Sequence, residues 1–174
     1  MIVITGAART GTSLMVQTLL LLGYKTPAKQ FLPEHEEIKK YNPKGYYELY
    51  HEVMNGVQHH RWKGQVVKLF PSSLAYTPPK NISKIIICKR SKLRALSSYK
   101  PLHKILGGHY SPRKAYNVNY KFLEQYIKEL PHIFVTFEEI TSDPEKVIKQ
   151  LCEFLEIKPS KDQIENTIKN VEKK

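Results

Sequence analysis

The segment from Met1 to Gly23 constrains the fold more than any other part of the chain. Met1 to Thr5 is a short apolar, β-branched run that stops at Gly6, and Thr12 to Leu22 shows helical apolar spacing with Gly23 as its stop. Between them stands Gly6-Ala7-Ala8-Arg9-Thr10-Gly11-Thr12-Ser13. Its two glycines keep the spacing of a phosphate-binding loop, but Thr12 occupies the position of that loop's lysine. A strand that runs through a glycine loop into a helix still aims backbone amides and a helix N-terminus at one spot, which suits an anion. What it lacks is the lysine's point charge, and Arg9 offers a cation from inside the loop instead.

The remaining pattern alternates strands and helices. A polar stretch containing Pro27, Pro33 and Pro43 precedes a predicted helix from about Tyr47 to His60, and Gln65 to Phe70 reads as a second strand. Ser83 to Cys88 is a continuous apolar run of the kind buried on both faces of a parallel sheet. Lys92 to Leu106 reads as its following helix, and a basic, tyrosine-rich region from His109 to Tyr120 leads into a helix near Phe122 to Glu129. His132 to Phe137 makes a fourth strand. Ser142-Asp143-Pro144-Glu145 and Ser160 to Gln163 are helix starts, with capping residues ahead of apolar stripes. The order implies one α/β domain over residues 1–174, a three-layer parallel sheet flanked by helices, with ligands held at the carboxyl ends of the strands.

Charge narrows the partner. The chain carries a net +12, and between Glu52 and Glu124 there is no acidic residue while fourteen lysines and arginines fall there. An anionic partner follows; charge alone does not choose among a nucleic acid, an acidic surface and a multiply charged small molecule. Cys88 and Cys152 lie in apolar segments and read as buried thiols, and no Cys/His cluster has metal spacing. No apolar run is long enough to span a bilayer, and Met1 leads directly into Ile2-Val3-Ile4 without a basic leader, so the expected location is cytoplasmic.

A second motif sharpens the reading. After the clearest strand comes Lys89-Arg90-Ser91-Lys92-Leu93-Arg94-Ala95-Leu96-Ser97-Ser98-Tyr99, where a nucleotide hydrolase or kinase commonly places an acid for magnesium. Together the two motifs resemble those of the sulfotransferase family, which uses 3′-phosphoadenosine 5′-phosphosulfate (PAPS). Arg9 to Ser13 is similar to that family's 5′-phosphosulfate loop, and Arg90, Ser98 and Tyr99 to its 3′-phosphate motif. Asn42-Pro43-Lys44-Gly45-Tyr46-Tyr47-Glu48 looks like a segment of bacterial members, while Phe137 to Ile140, Asp143 to Glu145 and Leu151 to Leu155 look like the later strand and helix. The resemblance covers Met1 to about Ile157 and implies a P-loop nucleoside-triphosphate-hydrolase-like fold.

It also implies roles. Arg9 would meet the leaving phosphate, with Ala8, Thr10, Gly11, Thr12 and Ser13 holding the 5′-phosphosulfate and Arg90 and Ser98 the 3′-phosphate; PAPS is then the donor, PAP the product, and no metal is required. Sulfuryl transfer, like phosphoryl transfer, rests on positioning and electrostatic stabilisation. Lys68 is a candidate sulfuryl contact. Cytosolic members place a histidine two residues after that lysine, and here Phe70 stands there. Glu48 is the first candidate for the general base, with Glu34, His35 and Glu36 next. Tyr110, Tyr116 and Tyr120, interleaved with Arg113, Lys114 and Lys121, are candidates for a lid over the acceptor. The family's late glycine-rich loop over the 3′-phosphate has no counterpart before Lys174. The expected acceptor is a small molecule, saccharide or peptide hydroxyl, with no specific nucleic acid. Two alternatives stay open: a non-catalytic nucleotide- or polyanion-binding protein of the same fold, and a P-loop nucleotide kinase.

Overall fold

Among the described residues, four short strands pair in parallel: Ile2–Thr5 (β1), Val66–Lys68 (β2), Lys84–Lys89 (β3) and His132–Thr136 (β4), in the spatial order β2-β1-β3-β4. They belong to a computed structural model that describes residues 1–31, 33–47, 49, 59–74, 76–105 and 112–172. Ile4 lies opposite Lys68 on one side, and Thr5 lies opposite Ile87 on the other. Lys89 pairs with Thr136 at the far edge. The chain leaves β1 toward β2 and returns across it to β3, so the strand order reverses beside β1, where open α/β sheets bind ligands.

Strand alternation divides the core in two. Ile2, Ile4, Val66, Ile86, Cys88 and Val135 face helices Thr12–Leu21 (α1), Pro144–Leu155 (α6) and Lys161–Glu172 (α7), and pack against Leu14, Leu19, Ile148 and Leu151. Met1, Val3, Val67, Ile85 and Ile87 point the other way, onto Leu74 of the short helix Pro71–Leu74 (α2) and onto Leu123 of Pro112–Tyr126 (α4). This is the expected three-layer arrangement. A smaller cluster of Ile38, Tyr46 and Leu102 joins the 3-10 segment Pro33–Tyr41 to helix Lys92–Ile105 (α3).

Several boundaries differ from the sequence expectation, each for a local reason. The tyrosine-rich region from Pro112 onward is helical, continuous with the segment expected near Phe122, because Tyr116, Tyr120, Leu123 and Ile127 recur at helical spacing toward the sheet. An additional helix, Phe137–Ser142 (α5), follows β4 directly. Thr136 starts it with a capping box: its hydroxyl accepts from the Glu139 amide, and the Glu139 carboxylate accepts from the Thr136 amide. Ser142 therefore ends α5, and Asp143 rather than Ser142 caps α6 through the Lys146 amide. Ser160 and Gln163 cap α7 reciprocally, as the sequence suggested. The helix expected from Tyr47 to His60 lies mostly outside the described residues; Tyr47 itself has φ 56, and His59–Trp62 is a 3-10 turn.

Candidate functional site

The loop between β1 and α1 is built around two close approaches. Gly6 has φ 154, and a Cβ there would fall 2.4 Å from the Cys88 carbonyl oxygen and 2.7 Å from Thr10 Oγ1. Gly11 has φ 96, and a Cβ there would meet the Phe137 ring at 2.9 Å. Only glycine fits either position without displacing the backbone or a ring. Arg9 also takes the left-handed conformation, with φ 66. Thr10 is buried and spends its hydroxyl on the Ala7 carbonyl at 2.7 Å, while Ala8 is exposed. Helix α1 begins at Thr12 with no acid in its first turn and, among the described residues, no side-chain cap, an arrangement that suits an anion.

Two guanidinium groups stand at this loop. Arg9 donates from Nε to Ser98 Oγ at 2.9 Å and from Nη2 to the Tyr41 carbonyl at 3.2 Å. Arg90 donates from Nη1 to the Arg9 carbonyl at 3.3 Å and stacks on Phe137, with Cζ 4.2 Å from the ring centroid. Among the described residues neither arginine pairs with a carboxylate. Burial draws the Arg9 pKa below its ordinary value; Tyr46 opposes that shift and the Arg90 charge adds to it. Arg90 Nε is buried with no hydrogen-bond partner among the described residues. A buried donor of this kind costs stability unless a ligand satisfies it.

A third cation comes from β2. Lys68 is 6% exposed and donates to Ser13 Oγ at 3.1 Å and to the Tyr46 carbonyl, which also accepts from Ser13 Oγ at 3.2 Å. Its Nζ lies 5.9 Å from the Tyr46 ring centroid. The Tyr46 carbonyl belongs to a strap, residues 41–46, laid along the loop and α1. Gln17 on α1 donates to the Lys44 carbonyl at 3.0 Å, and the Tyr46 hydroxyl donates to the Ile38 carbonyl at 2.8 Å. Gly45 at φ 107 and Tyr47 at φ 56 flank the carbonyl that turns toward Lys68.

The structure thus brings together Arg9, Gly11, Thr12, Ser13, Lys68, Arg90 and Ser98 from two motifs and a strand end. Ala8 and Thr10 contribute loop geometry, and the Thr10 hydroxyl is already engaged. Glu48 lies outside the described residues, as do Tyr110 and the side chains of Glu34 and His35. Glu36 is exposed and ion-paired with Lys39. The proposed lid is corrected: Tyr116 and Tyr120 are helical and turn inward, donating at 2.7 Å to the carbonyls of Arg90 and Cys88 respectively. Burial raises both phenolic pKa values. Sequence reasoning missed those two bonds, the Phe137 stack on Arg90 and the strap carbonyls. The i, i+4 spacing of Tyr116 and Tyr120 was the available signal for the first.

Comparison with known proteins agrees with this architecture. A family model described as the sulfotransferase domain matches residues 1–174. Among solved structures, the sulfotransferase domain from the curacin biosynthetic pathway superposes with a TM-score of 0.60 at 14% identity, covering 93% of this chain and 75% of that one. Retinol dehydratase in complex with androsterone and the inactive cofactor PAP gives 0.57 at 14% identity; 98% of this chain covers 63% of that chain. The sulfotransferase from Alicyclobacillus acidocaldarius gives 0.53 at 19% identity, covering 91% and 83%. No curated protein matches the chain. With a family model spanning every residue and a parallel α/β sheet that superposes on sulfotransferases, the chain belongs to the sulfotransferase family.

Proposed function

We propose that this sulfotransferase moves a sulfuryl group from PAPS to an acceptor hydroxyl, with Arg9, Lys68 and Arg90 as its anion contacts. The observation that carries the reading is the pair Arg9 and Arg90 at an uncapped helix N-terminus, with no carboxylate partner for either among the described residues. The groups present fit such a donor. Gly6 and Gly11 let the loop close against Cys88 and Phe137, and the buried Arg90 Nε has no acceptor among the described residues, a donor that a terminal phosphate would satisfy. The α1 amides and Ser13 hold the 5′-phosphate, and Arg90 with Ser98 holds the 3′-phosphate.

Bound PAPS would supply an activated S–O bond, whose transfer to the acceptor oxygen would leave the electron pair on the bridging phosphate oxygen. Arg9 is the residue proposed to meet that growing charge, since a guanidinium is permanently cationic and forks onto phosphate oxygens. Lys68 orients the sulfuryl oxygens. The acceptor's proton passes to a carboxylate, for which Glu48 remains the proposed base. The acceptor class is a hydroxyl-bearing small molecule; androsterone with PAP in the retinol dehydratase structure supports that choice.

Calorimetric titration with adenosine 3′,5′-bisphosphate, 5′-AMP and magnesium-ATP tests the donor. Binding that requires the 3′-phosphate and is lost in Arg90→Ala supports the reading, whereas equal or tighter binding of 5′-AMP or magnesium-ATP overturns it. Transfer of labelled sulfate from PAPS then separates an enzyme from a protein that only binds the nucleotide.

A further inference from the structure

Helix α4 grips the end of β3 at successive points. The Tyr120 hydroxyl donates to the Cys88 carbonyl at 2.7 Å, and the Tyr116 hydroxyl, one turn earlier, donates to the Arg90 carbonyl at 2.7 Å. Their rings lie 4.9 Å apart, and Lys89 Nζ sits 5.9 Å from the Tyr120 ring centroid. Lys92, in the first turn of α3, donates to Asn117 Oδ1 at 2.8 Å. Residues 88, 89, 90 and 92 are therefore each contacted by a side chain of one helical face. The chain leaves β3 here into the turn that carries Arg90, whose peptide is held on its other side by the Ser91 amide donating to Glu138 Oε1 at 3.3 Å.

We propose that Tyr116 is a positioning residue for the donor's 3′-phosphate: it fixes the main chain of Arg90 so that the guanidinium stays on Phe137 and under the loop, and Tyr120 steadies the same turn from Cys88. This inference rests on the reading of Arg90 as the 3′-phosphate ligand. The geometry argues for positioning over general stability because the bond is made to the carbonyl of the arginine itself. Arg90 in turn donates to the Arg9 carbonyl, so a shift at Tyr116 passes to the phosphosulfate loop through one side chain.

The same helix supplies an internal control. The Tyr126 hydroxyl donates to the Thr77 carbonyl, also at 2.7 Å, but at a loop remote from Arg90. If tyrosines of α4 only hold the helix down, Tyr116→Phe and Tyr126→Phe will behave alike. If Tyr116 positions Arg90, Tyr116→Phe will weaken adenosine 3′,5′-bisphosphate binding about fivefold, the loss expected for one hydrogen bond, and 5′-AMP binding by less, so that the affinity ratio of the two nucleotides falls. Tyr126→Phe will leave the affinity ratio of the two nucleotides as it is in the parent protein. Thermal unfolding of both variants, measured alongside, separates a folding defect from a binding one. An unchanged ratio in Tyr116→Phe, with the parent protein still preferring the bisphosphate, overturns the inference alone. A parent protein without that preference overturns the donor reading itself.

Discussion

Arg9 Nε donates a hydrogen bond of 2.9 Å to Ser98 Oγ, joining the loop after β1 to the second turn of α3 across 89 positions of sequence. The side chains proposed for the two ends of the donor are therefore in contact before any ligand arrives. Ser98→Ala is expected to weaken adenosine 3′,5′-bisphosphate binding about tenfold, because it removes a phosphate contact and frees Arg9. Arg9→Lys keeps the charge but loses the fork, and turnover is expected to fall about a hundredfold. The double variant should lose less than the product of the two, since the residues share a bond. Affinity and turnover, each measured in the parent and all three variants, check the cycle, and strict additivity in both would show that the contact carries no coupling.

Gly6 offers a sharper structural test. Alanine there would place Cβ 2.4 Å from a main-chain oxygen that the neighbouring strand holds in place, at φ 154. Gly6→Ala is expected to lower stability by about 2 kcal/mol or more in urea titration and to abolish nucleotide binding. Full retention of both would mean that the loop adjusts freely.

The layers of the fold were legible because β1 and β3 are apolar on both faces, a pattern that leaves little choice but a covered parallel sheet. Arg9, Ser13, Arg90 and Ser98 stood out in the sequence because their motifs resemble those of the sulfotransferase family, and hydrogen bonds link Arg9 to Ser98 and Arg90 to Arg9. The roles of Tyr46 and Tyr41 were not, since they act through carbonyl groups, and any residue type carries one of those. Tyr116 and Tyr120 misled for a related reason: a tyrosine among lysines reads as a solvated loop until its helical partners Leu123 and Ile127 are seen on the core side. The α5 helix was hidden because Thr136 ends a strand and caps a helix at once.

That double role gives a stability prediction. Thr136→Ala is expected to cost about 1 kcal/mol at neutral pH. The Thr136 hydroxyl, then its amide, hold the Glu139 carboxyl below its ordinary 4.5. A folded-state pKa below the unfolded one stabilises above the unfolded value and is lost as the pH falls through the folded value. The gap between parent and variant should therefore narrow in acid below about pH 4.5, measured as urea midpoints against pH. A constant gap would assign the whole effect to the hydroxyl cap without the carboxylate.

Cys88 should be chemically silent. It is 2% exposed at the end of β3, and burial pushes its pKa up to about 12, with Lys68 pulling in the opposite direction. Alkylation at pH 8 is expected to leave Cys88 unmodified in the folded protein and to label it only after unfolding, as peptide mass mapping would show. Rapid labelling of native Cys88 would mean that the β3 end opens far more often than its packing allows.

The strap carbonyls decide which ligands the site can tell apart. Arg9, Lys68 and Ser13 already give hydrogens to the oxygens of Tyr41 and Tyr46. At those particular hydrogens an entering ligand replaces one oxygen by another, so new bonds there add little to the total. A neutral oxygen gains almost nothing by the swap, whereas an anionic one gains the difference between a charge-assisted bond and an ordinary one. The strap therefore acts as a built-in competitor, which discounts uncharged ligands and leaves formal negative charge as the property that earns entry.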